Sequence, residues 1–475
     1  MKKKLKGSLT VFFALIMTSV LTLMFAMAEC IRIYELNGFA REYTDMAIES
    51  AFSEYNPYLW KNYRILALDT DIDVLQQKVI EYCNANSNGM TGTNFGRLIA
   101  DEAIVDKYGL LTDESGQGVK YLGIKAAKGS LAAQTVEKLK TNENNLKSIP
   151  SSSVKEQAEN AKASLNNAKA SLEEAKRSNP QVDYPEPEEV EDNPLDAFSM
   201  MKEALAKGVL SVVVPTEKLS DKSIKLEEMP SHRVLNKGDS SYEMDLNIVD
   251  QALFIDYLLT NFAYYGGTKS DGLNYEIEYL INQKASDTEN LAAVVTELLA
   301  LREGANFATI TSNHIMRGQA NAIAHTLAAF TMNEAIIQSV AIGIMAAWAF
   351  IESVLDVRLL LAGGNVPVIK PLDDWTSDVY HLSSFLDVSK KAKETKNGIS
   401  YSDYLMGFLA IVPDRLLSIR ACDVMEVALN STEDYKNSKM DNMIFTADFT
   451  MSFIENELFI DSGSYLLEKK KSISY

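Results

Sequence analysis

The chain has 475 residues, of which 65 are acidic, 46 are basic and 47% are hydrophobic. At about 150 residues per domain, this length allows roughly three structural units, and the ordinary apolar content excludes a wholly disordered chain. The net charge of −19 argues against nucleic-acid binding, because phosphates must be neutralised by Lys and Arg. Cys30, Cys83 and Cys422 are too few for a disulfide framework or a zinc knuckle. Whether Cys83 and Cys422 pair stays open.

The first predicted element is an apolar segment that follows lysines at positions 2, 3, 4 and 6. Residues 8–28 carry no charge, and as a helix they would span about 30 Å, the thickness of a hydrocarbon core. Because basic residues stay on the cytoplasmic side, we predict a single-pass cell-membrane anchor with a cytoplasmic N-terminus and an extracytoplasmic bulk. Two alternatives stay open: a cleaved secretory signal, since Ala26-Met27-Ala28 resembles a cleavage site, and a lipoprotein attached at Cys30, although Glu29 precedes it.

Small residues follow the anchor at helical spacing. Ala40, Ala47 and Ala51 predict that the helix continues outward to Tyr55, just before a proline that must end it. Their face suits lateral packing of residues 29–55 against another helix. A helix that lies on its own domain would show the same pattern, and both interpretations stay open.

These residues together carry a family resemblance. The start Lys6-Gly7-Ser8-Leu9-Thr10-Val11-Phe12-Phe13-Ala14-Leu15, the spacing Glu29-x-x-Arg32 and the alanines that follow resemble the TadE/TadG-like minor pseudopilins of tight-adherence (Flp) pili. Phe12 stands where that family has an acidic residue. The resemblance implies processing between Gly7 and Ser8, an anchor that includes Phe12, Glu29 and Arg32, and partners among other pilus or secretion-system membrane subunits.

A second resemblance covers more of the chain. The segments Leu273–Leu280 and Glu352–Arg358 are similar to a larger uncharacterised family of membrane-anchored bacterial proteins with the same N-terminus. That family implies no activity and no catalytic residues.

Beyond a membrane-proximal helical region (residues 29–124), residues 125–178 are predicted to form a helical hairpin or coiled-coil stalk. Residues 179–194 hold four prolines and six acidic residues with no basic one, which predicts a stiff linker between an N-terminal part and a C-terminal domain. One arm of the hairpin has a seam of small residues spaced four and three apart, and the other would supply its antiparallel partner. The seam is Val154, Ala158, Ala161, Leu165, Ala168, Leu172 and Ala175, and the partner residues are Leu131, Val136, Leu139 and Leu146.

Residues 195–475 are predicted to form one extracytoplasmic α+β domain. Leu210–Pro215 is predicted to form a short strand. Residues 335–351 carry no charge and are predicted to form either a buried core helix or a second membrane span. Alternating apolar residues over 445–453 predict a half-buried strand, and the lysines at 469–471 a solvated tail. The predicted fold class is therefore mainly α with a smaller β part.

Motifs for catalysis are missing from the sequence. His314 and His325 would lie about 16 Å apart on one helix, too far to share a metal ion, and neither catalytic, cofactor-binding nor metal-binding residues are predicted. The predicted function is that of a non-enzymatic, membrane-anchored structural or accessory protein associated with pilus assembly or cell-surface display. The alternative is a surface enzyme or ligand-binding receptor whose site lies in residues 195–475.

Overall fold

The computed structural model describes residues 6–88, 98–128, 153–215, 219–239, 248–395, 398–455 and 465–475, together with residues 137, 138, 140, 141, 144, 149 and 217. The chain forms two compact units. Unit 1 comprises residues 1–122, 234–244 and 437–475, and unit 2 comprises residues 123–233 and 245–436. The protein is 64% helical and has a small antiparallel sheet of four strands. The predicted fold class, mainly α with a smaller β part, is confirmed.

Unit 1 combines a very long helix with the sheet. Its helices are α1 (Lys6–Phe52), α2 (Pro57–Tyr63) and α3 (Ile72–Asn88), with a short 3₁₀ helix at Met440–Asn442. Its strands are β1 (Leu68–Asp69), β2 (Leu98–Leu110), β3 (Met443–Glu455) and β4 (Tyr465–Ser474). Helix α4 (Asp113–Ala127) begins in unit 1 and ends in unit 2.

Strand β3 is the centre of the sheet, because β1, β2 and β4 all pair with it antiparallel. Phe449 lies opposite Val105 of β2 and Lys471 of β4. The predicted strand over 445–453 is thus present, and its alternate side chains enter the apolar core of unit 1. The prediction of a solvated lysine tail is wrong: residues 469–471 belong to β4, and the Lys471 ammonium pairs with Asp45 at 3.0 Å.

Unit 2 is almost wholly helical. Its α-helices are α5 (Val154–Ser178), α6 (Pro194–Ala206), α7 (Val209–Val213), α8 (Ile248–Asn261), α9 (Glu276–Asn282), α10 (Asp287–Ser312), α11 (His314–Ala328), α12 (Glu334–Leu361), α13 (Tyr401–Ile411) and α14 (Asp414–Asn430). Short 3₁₀ helices occur at Leu226–Glu228, Ala329–Thr331, Leu372–Asp374, Leu382–Phe385 and Glu433–Tyr435.

Helix α12 forms the core of unit 2. Helices α5, α6, α10 and α11 all pack against it, and 94% of its most apolar stretch is buried. From Val340 to Ile351 every residue except Ile342 is buried, which accounts for the apolar character of this part of the helix. Of the two interpretations of this segment, the buried core helix is the one that the structure shows.

The structure differs from the sequence predictions in three segments of unit 2. Helix α5 packs its seam residues Ala158 and Ala161 against α12, while the predicted partner residues lie outside the described part of the chain. Residues 179–194 lie within unit 2 rather than between two domains: the Asp192 carboxylate accepts hydrogen bonds from Ser383. Finally, residues 209–213 form helix α7 and not a strand, because packing overrides the β propensity of a short valine-rich run.

The domain boundaries also differ at the C-terminus. Residues 234–244 and 437–475, predicted to belong to one domain with the rest of 195–475, are part of unit 1. The reason is strand pairing: β3 finds its partners in β1 and β2, both of which precede residue 111. A pairing over such a separation leaves no local signal in the sequence.

Candidate functional site

The first half of α1 makes no packing contact that buries it. Every residue from Leu9 to Phe25 is exposed, including Phe12 at 57%. Two described helices, α1 and α12, are long and apolar enough to cross a membrane, and only in α1 is this apolar stretch unburied. Because large exposed apolar surfaces require a partner or a lipid phase, α1 is the candidate membrane anchor.

Polar side chains within this stretch are bonded inside the helix. The Thr18 hydroxyl donates to the carbonyl of Ala14 at 3.0 Å, and the Thr22 hydroxyl donates to the carbonyl of Thr18 at 2.8 Å. A hydroxyl that is satisfied within its own helix adds little cost in a lipid phase. These threonines are therefore compatible with a membrane-spanning segment.

An ion pair lies at the end of the exposed stretch. The Arg32 guanidinium donates to the Glu29 carboxylate at 2.6 Å, and Glu29 is buried. The sequence spacing Glu29-x-x-Arg32 thus places the two groups one helical turn apart, where they neutralise each other. Gly7 and Ser8 lie in the first turn of α1, and their processing stays a prediction.

The alanine face of α1 is occupied within unit 1. Ala40, Ala47 and Ala51 are buried in the apolar core, which also contains Val79 of α3 and Phe449 of β3. Of the two interpretations of this face, the helix that lies on its own domain is the one observed. Lateral contact with another subunit through these alanines would require unit 1 to open.

A second feature is a cluster of fully buried charges in unit 2. The Arg302 guanidinium of α10 donates to the Asp356 carboxylate of α12, with Nη2 to Oδ2 at 2.8 Å. The other Asp356 oxygen accepts from the Lys370 ammonium, which also contacts Glu352 at 2.5 Å. We call these four residues the buried charge cluster.

Neutral groups complete the hydrogen bonds of the cluster. Asn306 donates to Asp356 at 2.9 Å, and the backbone amide of Ser377 donates to Glu352 at 2.8 Å. Arg302 also donates to the carbonyls of Pro367 and Val368. The cluster therefore fixes the loop after α12 to helices α10 and α12.

The electrostatics of the cluster are balanced. Burial alone would raise the pKa of Asp356, but the charges of Arg302 and Lys370 outweigh burial and hold that pKa below its ordinary value. Burial likewise opposes the charge of Lys370, yet Asp356 and Glu352 keep its pKa raised. Two cationic side chains face two carboxylates in the cluster, so their formal charges balance.

A further buried carboxylate forms no ion pair with any residue that the structure describes. Glu278 of α9 accepts hydrogen bonds from the Tyr265 amide at 2.9 Å and the Tyr401 hydroxyl at 2.8 Å. Its second oxygen has no hydrogen-bond partner in the described structure. Burial raises the pKa of Glu278 to about 7, so this side chain changes protonation near neutral pH.

Sequence reasoning missed these buried groups. Glu352 and Asp356 are spaced i, i+4 and directly follow the uncharged residues 335–351 of the same helix, and charges beside so long an apolar run were the signal that could have revealed them. His314 and His325 lie exposed on α11. Among the residues that the structure describes, no group of three or more His, Cys, Asp or Glu could hold a metal ion.

The cysteines are free thiols. Cys83 is buried in unit 1 and Cys422 in unit 2, and Cys30 is exposed on α1. Burial raises the pKa of Cys83 to about 12. The two buried thiols are thus unreactive at neutral pH.

Comparison with known proteins places the buried polar groups of unit 2 in a defined family. Residues 184–454 match a protein family described as a family of unknown function, DUF5702. The chain belongs to this family. The DUF5702 segment includes the buried charge cluster, Glu278 and nearly all of β3, whereas α1 and β4 lie outside it. No curated protein matches the chain, and no solved structure matches it.

Proposed function

We propose that this DUF5702 protein is a membrane-anchored structural protein, which α1 holds in the cell membrane and whose residues beyond the anchor lie outside the cytoplasm. The observation that carries the proposal is the change along α1 from exposure on all sides at Leu9–Phe25 to burial of one face from Leu36 onward. Residues 8–28 match the thickness of a bilayer at about 30 Å. The lysines at positions 2, 3, 4 and 6 favour a cytoplasmic N-terminus.

The finer proposal is a TadE/TadG-like role in pilus assembly or cell-surface display. The residues around Gly7 and the Glu29–Arg32 pair support it, as does a helix whose second half packs on an antiparallel sheet. Because unit 1 occupies the alanine face, other membrane subunits would contact the exposed stretch from Leu9 to Phe25. Phe12 lies in that stretch and is free to face either lipid or a neighbouring helix.

The buried charge cluster supports a structural rather than a catalytic role for the core of unit 2. A catalytic acid or base must reach a substrate proton, whereas Arg302, Glu352, Asp356 and Lys370 are sealed from solvent and bonded to one another. The cluster joins elements that are distant in sequence. A unit displayed as a rigid body requires such links between elements that are distant in sequence.

Topology can be tested with single cysteines. Lys3→Cys and Asp183→Cys are each introduced in a Cys30→Ser background, where the remaining two thiols are buried. On cells stripped of their wall, a membrane-impermeant maleimide should label Asp183→Cys at once and Lys3→Cys only after lysis. The reverse pattern would contradict the orientation, and release of the protein by a carbonate wash would contradict the anchor.

The mass of the mature N-terminus tests the finer proposal. A chain that begins at Ser8 would support prepilin-type processing and a pseudopilin role. A chain that begins at Met1 and stays in the membrane would support an accessory anchor and argue against processing. A chain that begins at Glu29 in the medium would overturn the anchor itself.

A further inference from the structure

A cavity of about 900 Å³ in unit 2 lies beside the end of the core helix. Its wall is formed by the C-terminal end of α7 and the residues after it, by Arg358 and Leu361 of α12, and by the loop from Val388 to Lys391. All of these elements belong to one compact unit. A cavity of this size can enclose a small molecule.

Arg358 brings an unbalanced charge to this cavity. It is 2% exposed, and among the described residues its guanidinium donates only to backbone carbonyls, including those of Val212 at 2.7 Å and Asp387 at 2.7 Å. Within the described structure, no carboxylate lies within 4.0 Å of it. Burial lowers the pKa of Arg358 to about 10, and the nearby Asp387 offsets this only in part.

One donor of Arg358 has spare capacity. Nη2 carries two N–H groups, yet its hydrogen bond is a long one, to the carbonyl of Leu386 at 3.4 Å. An acceptor in the cavity would therefore find a charged donor that the protein leaves underused. Hydrogen bonds between a guanidinium and an anion are about twice as strong as neutral ones.

A second cation and apolar surface complete the wall. Lys391 lines the cavity and forms no ion pair with any described residue. The exposed Glu217, whose charge is opposite to that of Lys391, also lines the cavity. Val213, Leu361 and Val388 also line the cavity, so its wall has both charged and apolar side chains.

We propose that this cavity binds a small amphipathic anion. Its phosphate or carboxylate group would meet Arg358 Nη2 and the Lys391 ammonium, and its aliphatic part would lie against Val213, Leu361 and Val388. The two unpaired cations favour an anion over a neutral or cationic molecule, even in a chain whose net charge is −19. This site is independent of the anchor in α1.

Calorimetric titration of the full-length chain in nanodiscs tests the site. The probes are butyl phosphate and butyrate, compared with n-butanol, which has the same tail without the charge, and with inorganic phosphate, which has no tail. We expect saturable binding of at least one of the first two probes, with n-butanol and inorganic phosphate at least tenfold weaker. The preferred probe of the pair identifies the anionic group, and its affinity should fall as salt is raised.

Variants assign the binding to this cavity. Lys391→Gln should weaken binding about fivefold, because an exposed charge contributes on this scale, and Glu217→Gln should strengthen it. Lys393→Gln is the matched control, since Lys393 is exposed but does not line the cavity. Arg358 is not substituted, because its hydrogen bonds to the carbonyls of Val212 and of the loop around Asp387 stabilise the folded unit.

The proposal is overturned if neither charged probe binds saturably, or if n-butanol binds as tightly as they do. Binding of inorganic phosphate at the same affinity as butyl phosphate would overturn the amphipathic character. An equal loss in Lys391→Gln and Lys393→Gln would place the binding elsewhere. Unchanged melting temperatures of the variants exclude a loss caused by unfolding.

Discussion

Gly343 of α12 and Ala161 of α5 approach so closely that a β-carbon on Gly343 would lie 2.0 Å from the β-carbon of Ala161. Only a glycine allows the two helices to pack at this distance. The seam of small residues in α5 thus serves the core of unit 2.

We expect Gly343→Ala to destabilise the protein by about 1–3 kcal/mol, because an extra methyl group in a close-packed contact forces the helices apart. Urea unfolding of the full-length chain in detergent micelles measures this. Gly318→Ala is the matched control: a β-carbon there meets no atom within 4 Å, and alanine should stabilise α11 by about 0.5–1 kcal/mol. Equal effects of the two changes would contradict the close approach.

Removing one charge from the buried charge cluster should be far more harmful than removing a surface charge. Lys370→Met leaves the buried Glu352 without a cation and Asp356 with Arg302 as its remaining cation, and we expect a loss of about 3–5 kcal/mol in unfolding free energy. Lys225→Met, which breaks an exposed pair with Glu228, should change stability by less than about 0.5 kcal/mol.

The double variant Lys370→Met/Glu352→Gln refines this prediction. The glutamine oxygen can still accept from one of the two backbone amides that bond Glu352, those of Thr376 and Ser377, so removing the second charge should restore part of the lost stability. If the double variant is instead clearly less stable than Lys370→Met, charge balance does not govern the stability of the cluster.

Glu278 should make the stability of the protein depend on pH. Its ordinary pKa is 4.5, and burial raises the pKa to about 7 in the folded state. Between these two pH values the folded protein binds more protons than the unfolded chain. The stabilising contribution of protonated Glu278 is therefore fully present below about pH 4.5 and is lost as pH rises through 7. The unfolding free energy of the unmodified protein should therefore fall by a few kcal/mol over this pH interval. We expect this fall to be absent in Glu278→Gln.

Melting curves at pH 4.5, 6 and 7.5 measure the effect of Glu278. Glu289→Gln is the control, because Glu289 is exposed at the beginning of α10 and should leave the slope unchanged. A slope that survives in Glu278→Gln would mean that another group is responsible.

Local patterns in the sequence predict the local elements well. The uncharged residues 8–28 and the alternation over 445–453 each identify an element that is present, α1 and β3. Strand β2 escapes prediction because three register shifts along it, the first between Ala100 and Glu102, interrupt its alternation of inward and outward side chains. Helix α7 escapes because its valines have β propensity while their burial decides the conformation.

Contacts between distant segments could not be predicted from one sequence. Arg302 and Asp356 form an ion pair although 54 positions separate them in the sequence. The residues around either one do not indicate which residue is its partner. The charges within the apolar α12 show only that partners must exist. Likewise, the spacing of Ala40 and Ala47 indicates a packing face, but the sequence alone does not say whether the partner is the same chain.

The central position of β3 has a consequence for biosynthesis. Strand β2 ends at Leu110 and its partner β3 begins at Met443, so residues 111–442 must be synthesised between them. At about 5–20 residues per second, this takes roughly 15–70 seconds. Until β3 and β4 have been made, the alanine face of α1 has α3 but not the sheet that completes its core, and by the end of the interval most of unit 2 has been synthesised. A chain interrupted before Met443 would therefore carry the candidate membrane anchor with a partly uncovered apolar face, and proteases at the membrane could recognise it as incomplete.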